Sequence, residues 1–199
     1  PSKDILEKYP HHLVDHIEPN SIFTVSDFYK NSISLIDSIH NRNKTPVFVG
    51  GTMMYFKSLL DGLDNLPARD DLIRQKYENI KVKKGIKELH SMLFEKDEVY
   101  AKQINELDEQ RIIRALEVIE ISGKPLSAQI GLNNKINLSN RFNIYQYGIF
   151  EEDRSLLHSR IESRLQKIIT AGLLDEVDYL LKEYHVPEQH PIRKSVNYK

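Results

Sequence analysis

The sequence predicts an α/β fold, a parallel sheet core interrupted by an all-helical insertion, and three observations carry that prediction. Pro46-Val47-Phe48-Val49 is continuously apolar, the pattern of a parallel strand buried on both faces. It runs into Gly50-Gly51-Thr52 and then a segment with Tyr55, Phe56, Leu59 and Leu60 on one side of a helix; helix, strand, turn and helix in this order suit right-handed crossovers in one sheet. From about Asp61 the pattern becomes purely helical, until Tyr145-Gln146-Tyr147-Gly148-Ile149-Phe150 reads as a strand returning to the sheet.

The elements follow in order. Pro10 to Ile17 alternates apolar and polar residues and reads as a short strand or strand edge. Ser21 to His40 reads as a helix, capped by Thr24 or Ser26, with Phe28, Ser32, Leu35, Ile36 and Ile39 at near-helical spacing. Asn41 to Lys44 is a polar loop, and Asp64 to Asp70 a polar, Pro-containing connection. Helical stretches are expected over Asp71 to Ile80, Gly85 to Phe94, Val99 to Ile104 and Glu109 to Ser122. Gly123-Lys124-Pro125 then reads as a helix stop. A long helix is expected from about Asp153 to Ala171, with Leu157, Ile161, Leu165 and Ile168 as its apolar stripe. Gly172 breaks it, and Leu174 to Lys182 resumes it. The expected division is a core of residues 1–62 and 141–199 with an insertion over 63–140.

Composition narrows the function. The 199 residues are 40% hydrophobic and 29% charged, enough to bury a core. Lys and Arg number 28 against 29 Asp and Glu, so contact with nucleic acid has to come from local clusters and not from a global field. The chain has no Cys, which excludes disulfides and thiolate metal sites. No bilayer-spanning run and no signal peptide are visible, and a soluble cytoplasmic monomer is the default expectation. The chain opens on Pro1 without an initiator Met and stops after Ser195-Val196-Asn197-Tyr198-Lys199 without a tail; both ends read as cuts through a longer protein.

Three places could carry chemistry. The two glycines before Thr52 permit close approach of a ligand, and a hydroxyl there would face the sheet's carboxyl edge and a helix N-terminus; an ordinary N-cap is the alternative. The absence of a Lys-Ser/Thr ending excludes a phosphate loop at this position. In Gln110-Arg111-Ile112-Ile113-Arg114, the two arginines are three apart and adjacent on the helix surface. They suit phosphate contact, although Asp108 and Glu117 offer local ion pairs. On the long helix, Arg160 and Arg164 lie four apart with no acid three or four residues from either, and Lys167 extends the edge. Like charges at that spacing repel, so either an external anion or a partner elsewhere in the chain is expected. Arg74, Lys76, Lys81, Lys83, Lys84 and Lys87 form a further basic patch, a pattern that usually serves solubility alone.

Taken together, Pro10-His11-His12-Leu13-Val14-Asp15, Phe23-Thr24-Val25-Ser26-Asp27-Phe28 and Val49-Gly50-Gly51-Thr52-Met53-Met54-Tyr55-Phe56 resemble the bacterial tRNA dimethylallyltransferase family. So do Asp108-Glu109-Gln110-Arg111, Arg114-Ala115-Leu116-Glu117-Val118, Ser122-Gly123-Lys124-Pro125-Leu126, Leu157 to Arg164, and Val196-Asn197-Tyr198-Lys199. The resemblance implies a P-loop NTPase-like core, truncated here, with a helical insertion that grips the anticodon stem-loop. It implies transfer of a dimethylallyl group from its diphosphate to N6 of the adenine 3′ to the anticodon, with Mg2+, after the base is drawn out of its stack. Thr52 matches a threonine near the target adenine and the reacting centre, and Arg164 an arginine at the diphosphate, with Arg160 assisting. Arg74, Gln110 to Arg114 (including Ile112 and Ile113), and Lys194, Ser195, Val196, Asn197, Tyr198 and Lys199 match tRNA-contacting stretches. Thr52 and Arg164 should then face one cavity. The family's phosphate loop, and the aspartate that accepts the N6 proton, have no counterpart here and are expected before Pro1, as are the Mg2+ ligands. The C-terminal helices are expected after Lys199. On that expectation the 199 residues alone are inactive. Asn197 stands where the family usually has Gly, and Glu109 where a Pro often starts the helix. The rival expectations are an isopentenyltransferase acting on free adenine nucleotides and a non-catalytic tRNA-binding fragment.

Overall fold

The computed structural model describes residues 3–131, 138–184, 186 and 190–194. It divides into two compact units, one of Pro1–Tyr55 with Asn143–Lys199 and one of Phe56–Phe142. No strand occurs among the described residues, which corrects the expected parallel sheet core. Residues 46–49 and 145–150 run without regular structure. No backbone hydrogen bond joins either run to the other or to any described segment, and a strand exists only where a neighbour pairs its N–H and C=O groups. Their side chains are correspondingly bare: Val49 is 92% exposed and Ile149 100%. An apolar run records the capacity to pair, not the presence of a partner. Pro10 to Ile17 is not a strand either, because Leu13 and Asp15 adopt positive φ (60° and 50°) and turn the chain.

In the first unit, α1 spans Lys3–Lys8 and α2 spans Val25–Asn41. Thr24 caps α2 in a reciprocal box with Asp27: the Asp27 amide donates to Thr24 Oγ1 at 3.2 Å and the Thr24 amide donates to Asp27 Oδ2 at 2.9 Å. Phe28 on α2 stacks on Tyr55 at 4.2 Å between centroids and meets Phe48 edge-on at 6.5 Å. That aromatic trio anchors the start of α3, Met53–Asp61. In the other segment of the unit, Asp153 caps α8 (Arg154–Thr170) by accepting from the Ser155 and Leu156 amides, and Gly172 at φ +100° connects it to α9, Leu173–Glu183. The helices between α3 and α8, α4 to α7, belong to the second unit.

That second unit is a helical bundle of α4 (Asp71–Lys84), α5 (Ile86–Lys96), α6 (Glu98–Ala101) and α7 (Glu109–Ser122). Each of α4, α6 and α7 begins at an aspartate whose carboxylate accepts from first-turn amides: Asp70, Asp97 and Asp108. The α4–α5 corner turns on Gly85 alone, at φ +87°, and α7 ends at Gly123 in the left-handed region. The core is Tyr77, Leu89, Leu93, Ala101, Ile112, Ile113, Ala115, Leu116, Val118, Ile119 and Leu126. Most of it comes from α7, which is buried over nearly its whole circumference from Ile112 to Ile119. Asp97 ties the α5–α6 corner to the loop after α7, accepting from the Ser127 amide and hydroxyl at 2.7 Å each. No helix among the described residues is long and apolar enough to cross a membrane.

Candidate functional site

The least expected residue in the helical unit is Glu117, a carboxylate with 0% exposure in the most deeply buried helix. Arg74 on α4 donates to both its oxygens, Nε to Oε1 at 2.9 Å and Nη2 to Oε2 at 3.1 Å. Arg114 Nη1 donates to Oε2 at 2.6 Å, and the Asp70 amide donates to Oε1 at 2.8 Å. Arg114 Nη2 also reaches the Pro67 carbonyl at 2.7 Å. Burial works against the ionised acid, but the donors from Arg74, Arg114 and Asp70 outweigh it and hold the carboxyl below its usual range. Arg74 and Arg114, expected to contact RNA, are therefore joined to a buried anion that locks α4, the 67–70 connection and α7 together. The Arg114–Glu117 pair is legible from spacing; Arg74 and Asp70 are not. The available signal was an acid alone among Ile112, Ile113, Ala115, Leu116, Val118 and Ile119, which cannot stay charged there without donors from elsewhere.

The rest of the expected RNA-facing stretch splits in two. Gln110 and Arg111 are exposed on the first turn of α7, with Arg111 Nη1 3.0 Å from Asp108 Oδ2. Ile112 and Ile113 are core residues at 0% and 3% exposure, so their side chains cannot reach a ligand at the surface. The lysine patch on α4 and α5 is largely neutralised. Lys76 pairs with Glu120, Lys81 with Glu78 and Glu109, Lys84 with Glu88 and Lys87 with Glu106, which leaves Lys83 with no ion pair among the described residues. Burial, reinforced by a 2.6 Å hydrogen bond to Glu120, pushes the Tyr77 phenol up.

In the other unit, Thr52 is exposed just before α3, and its hydroxyl makes no hydrogen bond among the described residues. Its carbonyl accepts from the Tyr55 amide at 3.0 Å. A Cβ placed on Gly51 would meet nothing within 4 Å, so the backbone just before Thr52 borders open space. On α8, Ser159, Arg160, Ser163, Arg164 and Lys167 line a shallow open concavity. Arg160 Nη1 donates to Glu151 Oε2 at 2.8 Å, the partner from elsewhere in the chain that spacing alone left open. Arg164 and Lys167 are exposed and make no ion pair or hydrogen bond among the described residues. Thr52 is not among the residues lining the concavity, so the cavity expected to be shared by Thr52 and Arg164 is not formed by it. Lys194 ends the short 3₁₀ turn Pro191–Lys194; its side chain, and all of Ser195, Val196, Asn197, Tyr198 and Lys199, lie outside the described residues. Among the described residues no group of three or more His, Asp or Glu side chains assembles as a metal site.

A family described as IPP transferase matches residues 1–199. A tRNA dimethylallyltransferase of Acinetobacter baumannii is 38% identical over 200 residues, covering 100% of this chain and 63% of its own length. One from Nitrosomonas europaea is 38% identical over 199 residues and 62% covered. The chain thus spans less than two thirds of these relatives. Among solved structures, the full-length tRNA isopentenylpyrophosphate transferase of Bacillus halodurans aligns over 100% of this chain and 59% of its own, at a TM-score of 0.57 and 27% identity. The tRNA delta(2)-isopentenylpyrophosphate transferase of Staphylococcus epidermidis aligns at 0.51 and 26%, again over all of this chain and 63% of its own. Matched from its first residue to its last, the chain belongs to the IPP transferase family.

Proposed function

We propose that the polypeptide carrying this chain transfers a dimethylallyl group from dimethylallyl diphosphate to N6 of the adenine 3′ to the anticodon of a tRNA. The supporting observation is Arg164, a guanidinium with no partner among the described residues, standing between Arg160 and Lys167 on one helix face. Three cations at that spacing repel one another, and a bound diphosphate relieves the repulsion. In the reaction N6 attacks the allylic C1, the C1–O bond to diphosphate breaks, and negative charge grows on the leaving oxygen while a proton leaves N6. Arg164, with Arg160, stabilises that growing charge. Thr52 orients the adenine through its free hydroxyl. The Mg2+ expected with the diphosphate finds no group of three or more His, Asp or Glu side chains among the described residues. The tRNA is gripped by the exposed first turn of α7, Gln110 and Arg111, while Arg74 and Arg114 hold that helix from behind through Glu117. The reaction is set in the cytoplasm, with the tRNA.

The test is prenyl transfer from labelled dimethylallyl diphosphate to an anticodon stem-loop, with AMP as the competing acceptor. Labelled RNA is the expected product. Labelled AMP in its place would reassign the activity to free nucleotides, and RNA binding without transfer would leave only a binding module. Replacing Arg111 by alanine is expected to weaken stem-loop binding and to reduce the slope of log K against log salt by about 1, one phosphate contact fewer. An unchanged slope removes Arg111 from the interface.

A further inference from the structure

The face of α8 that carries Arg164 holds two features that the transfer reaction does not itself require. Lys167 continues the cationic line one turn on, exposed and without a partner among the described residues. Arg160, at the other end of the line, is already engaged by Glu151 at 2.8 Å, a contact 65% open to solvent on the arginine side and 25% on the glutamate side. Ser159 and Ser163 place hydroxyls among the three cations along the same concavity. From Ser159 to Lys167 the helix rises about 12 Å, so the long side chains of Arg160, Arg164 and Lys167 can converge on one bound polyanion.

Helix stability explains little of this. Arg160 and Arg164, and Arg164 and Lys167, are like-charge pairs at the four- and three-residue spacings where repulsion acts. Lys167 alone gains from the carboxyl-terminal end of the helix dipole, whereas Arg160 and Arg164 lie in its interior. Glu151 neutralises one of the three charges and leaves the others uncompensated.

Building on the diphosphate reading of this face, we propose that Lys167 is a further ligand of the diphosphate and that Glu151 is a resident counter-ion which the diphosphate displaces from Arg160. Glu151 then acts as an internal competitor. It holds Arg160 in place while the concavity is open, and it sets how tightly the prenyl substrate and the diphosphate product are retained.

The test is titration of the polypeptide carrying this chain with inorganic diphosphate at low ionic strength, followed by calorimetry. Glu151→Gln is expected to tighten binding about two- to fivefold, the range an exposed ion pair can withhold. Lys167→Ala is expected to weaken it about three- to tenfold, with Lys167→Arg restoring most of the loss. Arg164→Ala serves as the control for the site itself. If Arg164→Ala weakens binding while Glu151→Gln and Lys167→Ala leave it unchanged, the displaced counter-ion and the third ligand are wrong and the diphosphate site stands. If the lysine change weakens stem-loop RNA binding and leaves diphosphate untouched, the face belongs to the RNA backbone and the inference fails. Absence of any diphosphate binding by that polypeptide, unaltered, also overturns it, whatever the transfer assay returns.

Discussion

Glu117→Ala is expected to destabilise the helical unit by about 3 kcal/mol, the scale of breaking a buried ion pair from one side. The change strands three donors at once, the Arg74 and Arg114 guanidiniums and the Asp70 amide. Both arginines retain some access to water, with side chains 28% and 31% exposed, which keeps the loss at the lower end of that range. Glu117→Gln keeps the shape and an acceptor but removes the charge, and should cost about 1–2 kcal/mol, less than the alanine change. Urea unfolding, with hydrogen exchange at the α7 amides, measures both. A loss below about 1 kcal/mol for the alanine variant would equate the node with an exposed surface pair and remove its structural role. Because Gln110 and Arg111 sit on the same helix, the alanine variant should also lose stem-loop affinity, and lower temperature should recover part of it.

The same node fixes a pH dependence. Glu117 is held below the usual carboxylate range against the cost of its burial, and Glu120 is held below it by the Lys76 ammonium and then the Tyr77 hydroxyl. Both folded-state values lie under the unfolded ones, so the stabilisation is complete above the unfolded carboxylate pKa, about 4.3. It is lost as the pH falls through the folded values. Stability should be flat in these two groups near neutrality and fall in acid, and Glu117→Gln should make the acid limb shallower. An acid limb identical in the variant places the titration elsewhere.

Local sequence signals located the helices well, because caps and stops act within a few residues. Glu109 to Ser122 is legible to the residue from Asp108 and Gly123, whereas the helix expected from Ser21 begins only at Val25, after Thr24, one of its two expected caps. The expected sheet fails for the complementary reason. Val47, Val49, Tyr147 and Ile149 have the composition of strands, but strand formation depends on a neighbouring chain segment, and these runs have none among the described residues. At the candidate site, charge spacing separated two kinds of arginine only in part. It shows Arg160 and Arg164 without helical partners, and the fold adds that Glu151, nine residues back, takes one of them. It could not show that Arg74 lies against Glu117, 43 residues away, because such a contact exists only once α4 and α7 have packed.

Arg164→Ala is expected to lower the turnover of prenyl transfer by about 10²-fold, as removal of one preorganised donor to developing negative charge does, while tRNA affinity stays within about twofold of the unaltered protein. The asymmetry follows from where the charge changes. Diphosphate is already anionic when bound, so part of the loss appears in the KM for dimethylallyl diphosphate. The larger part appears in kcat, because the bridging oxygen gains charge only as the C1–O bond stretches. Arg164→Lys keeps the charge but loses the planar two-pronged donor set, and should recover binding better than turnover. Single-turnover kinetics with saturating stem-loop separates the terms. Equal losses in kcat and in tRNA affinity would mean that Arg164 supports the fold or the RNA, and the leaving group would then need another source of compensation on α8, of which Lys167 is the cation left without a partner among the described residues.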